Sequence, residues 1–131
     1  MFVLDTNTII DFFRGKGRVA ERLLAVPPRQ IGVPAVVAYE VWVGVLGSRN
    51  ARLRQTQYEQ FLATVEIIPF DAETAIEAAT IRLVLERRGE SIGPLDTLIA
   101  ATALLRDATL VSRNTKEFGR VRGLDIVNWH D

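Results

Sequence analysis

Met1-Phe2-Val3-Leu4-Asp5-Thr6-Asn7 is the stretch that decides the fold. Its opening apolar run is too short for a helix and gives way at once to polar residues, the pattern of a brief buried strand. Asp5, Thr6 and Asn7 are of the kinds that cap helix N-termini, and Ile9, Ile10, Phe12 and Phe13 then fall on one helical face. The chain therefore begins as a strand feeding directly into a helix.

The same alternation runs outward to the other end. A short helix is expected over 19–26, stopped by Pro27 and Pro28, and a brief strand over 31–33. Pro34 suits the first turn of a helix carrying Val36, Val37, Val41, Trp42 and Val45, which should end near Gly44 or Gly47. Residues 51–63 set Leu53, Tyr58, Phe61 and Leu62 among Arg and Gln, as an amphipathic helix with one wet face does. A strand over 65–70 leads to a helix over 72–88, with Ile76, Ala79 and Leu83 at helical spacing and Gly89 as its stop. A helix over 97–105, a strand over 108–112, a short helix over 115–118 and a last strand over 125–127 complete the series. Parallel strands need crossover connections and bury both sheet surfaces, so the alternation predicts an α/β fold with helices on both faces of a parallel sheet. In such folds ligands gather beyond the carboxyl ends of the strands, near a topological switch point.

Composition narrows the chemistry. The 131 residues suit one domain, 1–131, and a 48% hydrophobic content supports an ordinary core. No run approaches the roughly 18 apolar residues of a membrane span, and no charged segment leads into an apolar stretch and cleavage site. A cytoplasmic protein without membrane contact is expected. There is no cysteine and the one histidine is His130, so thiolate sites are excluded and any metal must be held by carboxylates. The 16 basic and 16 acidic residues cancel, leaving no global positive field to draw in nucleic acid. Arginine dominates the basic set, with only Lys16 and Lys116 as lysines, a bias that a GC-rich genome explains as well as phosphate binding does.

Four acids stand out by position. Asp5 follows the first strand, where it can cap the next helix or face a ligand site. Glu40 lies within Val36-Val37-Ala38-Tyr39-Glu40-Val41-Trp42-Val43, a segment apolar around nearly its whole circumference, where an uncompensated carboxylate would cost several kcal/mol. A metal, a buried salt bridge or a snorkelling side chain would each resolve that cost. Asp96, before Leu98-Ile99-Ala100-Ala101, reads as a helix cap or a site acid. Glu117 stands three residues after Asn114, the spacing of a capping box. Four acids near strand ends are less readily four separate caps than one shared site. Clustered carboxylates repel unless a cation screens them, and an all-oxygen donor set favours magnesium or manganese over zinc. Such ions activate water and clamp phosphodiester oxygens, which suits nucleic-acid cleavage.

Val3-Leu4-Asp5-Thr6-Asn7, Ala38-Tyr39-Glu40-Val41, Leu95-Asp96-Thr97-Leu98-Ile99-Ala100-Ala101 and Val111-Ser112-Arg113-Asn114-Thr115-Lys116-Glu117-Phe118 together resemble, in order and spacing, the acidic motifs of PIN-domain nucleases, and among these the VapC toxins. The resemblance extends to Gly123-Leu124-Asp125-Ile126-Val127-Asn128-Trp129 and so spans nearly the whole chain. It implies a three-layer α/β/α sandwich, a homodimer, a Mg2+ or Mn2+ site, cleavage of structured RNA, with tRNA the commoner substrate, and a VapB-like antitoxin. It implies Asp5, Asp96 and Glu40 as metal ligands, Asn7 in support, Ser112 and Asn114 lining the site, and Glu117 where many such domains carry Asp.

Other classes fit less well. A haloacid-dehalogenase-type phosphatase needs a second Asp two residues after the first, and here that residue is Asn7. A response-regulator receiver is mimicked by Asp71, Ser112 and Lys116, but has no use for Glu40. A catalytically dead PIN-like interaction module would not need the intact acids.

Overall fold

A computed structural model describes all residues, 1–131. In chain order the elements are β1 (Phe2–Leu4), α1 (Thr6–Arg14), α2 (Val19–Leu24), a 3-10 turn (Pro28–Gln30), β2 (Ile31–Pro34), α3 (Ala35–Leu46), α4 (Ala51–Leu62), β3 (Glu66–Ile68), α5 (Ala72–Arg87), α6 (Pro94–Leu105), β4 (Thr109–Val111), α7 (Thr115–Phe118) and β5 (Asp125–Val127). The strands form one sheet in the order β3-β2-β1-β4-β5, and every neighbouring pair is parallel. Helices cover the sheet, giving the expected three-layer α/β/α sandwich.

The strand order reverses at β1. The chain builds β2 and then β3 on one side of it, and crosses back through α5 and α6 to lay β4 on the other. Phe2 pairs with both Ile31 and Thr109, and Val3 with both Gly32 and Leu110, so β1 is central. Val3, Leu4, Val33, Leu110 and Val111 are fully buried, as the middle of a doubly covered sheet requires. The topological switch point therefore lies between the carboxyl ends of β1 and β4, with Asp5 and Ser112 as the next residues.

The structure departs from expectation in three ways. The strands at 65–70 and 108–112 shorten to Glu66–Ile68 and Thr109–Val111. Helix α6 begins at Pro94, with Gly93 as its cap, so Asp96 is inside the first turn and does not cap the helix as the expected start at 97 would require. Proline is well suited to this first position, since its missing N–H has no helical partner there anyway.

The third departure is the buried face of α5. Ile76 is 70% exposed and Leu83 47%, with Ala79 also outside. The helix instead turns Thr74, Ala78, Ile81 and Leu85 inward. Both sets have helical spacing, so periodicity alone did not choose. The buried set was disguised by Thr74, whose hydroxyl is satisfied locally by donating to Asp71 Oδ1 at 2.7 Å. Replacing each isoleucine by alanine separates the two faces. Ile81→Ala should cost about 2–5 kcal/mol of unfolding free energy, as cavity formation does. Ile76→Ala should stay within about 0.5 kcal/mol. Urea melts that show the reverse would place the buried stripe on the wrong side.

Candidate active site

Asp5 is buried, 5% exposed, at the carboxyl end of β1. Its backbone N–H donates to the Val111 carbonyl at 3.2 Å, continuing the ladder to β4. Its carboxylate caps α1, with Oδ1 accepting from the Thr8 N–H at 2.8 Å. The cap and the site are thus the same side chain, with one oxygen committed to the helix. Burial pushes the Asp5 carboxyl above its ordinary value; hydrogen bonding from Ser112 and Thr8 opposes the rise and the Asp11 charge adds to it.

Asp96 is half-buried in the first turn of α6. Its pKa is raised from 3.8 to about 6, first by burial and then by the charges of Glu117, Asp5 and Glu40. That dependence ties the acids of four separate segments into one electrostatic group. None of Asp5, Glu40, Asp96 and Glu117 has a salt-bridge partner, although the chain carries 16 basic residues.

Glu40 is half-buried on α3. The helix is not wholly enclosed, because Tyr39, Val43 and Leu46 are exposed, so the expected extreme burial of this carboxylate is not found. It is positioned all the same: the Thr6 hydroxyl donates to Glu40 Oε1 at 2.6 Å, across the gap between α1 and α3.

Glu117 belongs to α7 and accepts from the Asn114 side-chain amide at 3.0 Å. The Asn114 side chain makes no cap bond, so the capping-box geometry is not formed. Asn114 donates its own N–H to Ser112 Oγ at 3.0 Å, and Ser112 is fully buried. Ser112, Asn114 and Glu117 thus form one connected loop after β4.

Asn7 is exposed and hydrogen-bonds none of the four acids. Thr6 and Thr8, its neighbours, make those bonds instead. A Thr on either side of an exposed Asn is the signal that sequence reading passed over, because threonine is so often a simple cap or surface residue. Asp11 was also missed. It is buried on α1, with Oδ2 3.7 Å from Arg113 Nε, linking the first helix to the loop that carries Ser112 and Asn114.

The donor set is all hard oxygen. No three acidic side chains close into a ready-made ion cage. Magnesium binds through one or two carboxylates while keeping several waters, so it suits acids coupled across a gap. Asp5, Glu40 and Asp96 are chemically fit for such an ion, and their unpaired charge is the feature it would relieve.

Comparison with known proteins bears on the family and the fold. The PIN-domain family model matches residues 2–124. Ribonuclease VapC2 of Rickettsia felis is 37% identical over 76% of this chain and 74% of its own. The tRNA(fMet)-specific endonuclease VapC of Salmonella typhimurium is 29% identical over 98% of this chain and 97% of its own. The crystal structure of VapBC2 from Rickettsia felis bound to a DNA fragment from their promoter superposes with a TM-score of 0.89 and 32% identity, covering 98% of both chains. The reversal of strand order at β1, the acids gathered there and these matches over nearly the full length lead to one conclusion: the chain belongs to the PIN-domain family, in its VapC branch.

Proposed function

We propose that this chain is a divalent-metal-dependent endoribonuclease and the toxin of a VapBC-type toxin–antitoxin pair. The observation that carries the reading is the convergence of Asp5, Glu40, Asp96 and Glu117 from four separate segments with no basic partner, reflected in the rise of Asp96 to about 6 by burial and by the other three charges. Such crowding opposes folding unless a cation or a catalytic need sustains it. A magnesium or manganese ion held there would lower the pKa of water and offset charge on the phosphate oxygens.

The chain's own residues supply the rest. The Thr8 N–H fixes one oxygen of Asp5 and with it the orientation of the carboxylate. The Thr6 hydroxyl restrains Glu40 by donating to its Oε1. Asn114 donates to one oxygen of Glu117 and so restrains it as a secondary acid. The all-acidic surface repels an RNA strand until the charge is screened, which makes cation and substrate binding mutually supportive. The relatives' names, ribonuclease and tRNA(fMet)-specific endonuclease, support structured RNA as substrate, with tRNA the first candidate. The VapBC assembly among the structural neighbours supports a VapB-like antitoxin. Two uncovered apolar surfaces support that partner and a second copy of the chain: Tyr39, Val43 and Leu46 on α3, and Ile76, Leu83 and Val84 on α5. No helix is long and apolar enough to cross a membrane. An enzyme acting on cellular RNA would work in the cytoplasm.

Purified protein should cleave RNA with magnesium or manganese and stop on chelation. Asp96→Asn should fold and lose more than about 100-fold in cleavage, beyond the usual cost of losing an outer-shell partner. Full activity in this variant would remove Asp96 from the mechanism. The pH dependence has a definite sign. A folded-state pKa raised from 3.8 to about 6 means that Asp96 favours folding at low pH and that this contribution is lost as pH rises through about 6. In chelator, Asp96→Asn should therefore gain melting temperature relative to wild type between pH 4 and pH 7, windows set by those two values. Magnesium should cancel the gain.

For Glu117, no cap bond is at stake. Glu117→Gln keeps an oxygen for Asn114 and should leave melting unchanged while slowing cleavage about tenfold, with partial rescue by raised magnesium. Wild-type rates at every magnesium concentration would limit Glu117 to a structural role.

The toxin reading is checked in cells. Expression of the chain alone should arrest growth, and Asp5→Asn should relieve the arrest. Harmless accumulation of a demonstrably active enzyme would overturn it.

A further inference from the structure

Beside the acids, α1, α3 and the start of α4 enclose an open cleft of about 420 Å3. Glu40 forms part of its wall, so the cleft is continuous with the acidic site. The rest of the wall has a different character. Arg14, Arg49 and Arg54 line it, together with Phe13 and Val41.

These arginines are free. Arg18, Arg82, Arg88, Arg106 and Arg113 are engaged in salt bridges, whereas Arg14, Arg49 and Arg54 are in none. All three come from separate places: the last turn of α1, the turn after α3 and the first turn of α4. Three like charges line one cleft with no salt bridge and with Glu40 as its one acid, and a polyanion is what this local excess fits. The chain's zero net charge conceals this local excess.

Phe13 adds a second kind of contact. It is partly exposed, and its ring is fixed by edge contacts with Phe61 at 5.7 Å and Tyr58 at 6.2 Å. A positively charged groove with an immobilised aromatic ring is the combination that holds unpaired nucleotides, phosphates on the cations and a base against the ring. A duplex keeps its bases stacked on one another and offers none to Phe13.

We propose that this cleft is a subsite for an unpaired RNA segment flanking the scissile phosphate, with Arg14, Arg49 and Arg54 gripping its backbone and Phe13 taking a base. The inference rests on the ribonuclease reading and deepens it. It assigns the enzyme to loops and single-stranded stretches of its substrate, and makes the cleft the side from which the strand enters.

Arg49 and Arg54 are the residues to test, because Arg14 also sits at a helix C-terminus, where its charge stabilises the fold. The probe is a fluorescein-labelled single-stranded RNA of mixed sequence, with the same strand annealed to its complement for comparison. Binding is measured by anisotropy across salt concentrations in the Asp5→Asn background, which keeps the strand intact. Each guanidinium that meets a phosphate of a single strand contributes about 0.7 to the slope of log affinity against log salt, so Arg49→Gln with Arg54→Gln should flatten it by about 1.4. Arg87→Gln, on the exposed face of α5, should leave it unchanged. In the otherwise wild-type enzyme the double variant should raise KM severalfold, with a smaller effect on kcat. Phe13→Leu should weaken single-strand binding without changing the salt slope. An unchanged slope and affinity in the double variant would overturn the proposal, as would equally tight binding of the duplex. Loss of antitoxin binding with RNA binding intact would assign the cleft to protein and overturn it too. If the wild-type chain cleaves no RNA with magnesium, the nuclease reading fails on its own, and the anisotropy still reports on the cleft.

Discussion

Parallel pairing of β1 with β4 is the constraint on which the rest depends. The ladder runs past the last residue of β1, through the Asp5 N–H to the Val111 carbonyl, and the Thr8 hydroxyl donates to the same carbonyl at 2.9 Å. The first turn of α1 is therefore fastened to the end of β4. Asp5 has little freedom left, and Ser112 is placed beside it. Had the chain laid β4 outside β3, the first acid and the last acidic motif would sit at opposite sides of the sheet, and no shared site would exist.

That placement has an electrostatic cost concentrated at Asp5 and Asp96, both shifted upward by burial and by neighbouring carboxylates. The contrast with Asp11 is informative. Asp11 is equally enclosed and lies close enough to raise the Asp5 pKa, yet it faces Arg113. The fold thus has an arginine available at this edge and directs it to an acid outside the group of four. Leaving the four without a basic partner costs stability, and under the proposed function it would keep them available to a cation.

The surroundings extend the same division of labour. Acids occupy the switch point, and unpaired arginines line the adjoining cleft, so a zero net charge coexists with strong local fields of both signs. A nucleic-acid strand bound as proposed would meet the arginines in the cleft with its phosphates and the acids at the switch point next to them. Tyr39, Val43 and Leu46 on α3, and Ile76, Leu83 and Val84 on α5, are apolar side chains that face solvent in a single copy of the chain.

Local sequence determined most of the element order, because short apolar runs, proline breaks and helical spacing are properties of adjacent residues. It also marked Asp5, Glu40, Asp96 and Glu117, whose polarity conflicts with or punctuates apolar segments. The tertiary structure alone decided what those acids do to one another. Burial first, and then the charges of Glu117, Asp5 and Glu40 acting through space, raise Asp96 to about 6, and neither cause has a counterpart in any local window. The same holds for the inward face of α5, where two stripes had equal periodicity and packing against α6 made the choice. Thr6 reaching Glu40 and Asp11 reaching Arg113 are contacts between residues 34 and about 100 positions apart, and chain proximity carries no information at that range.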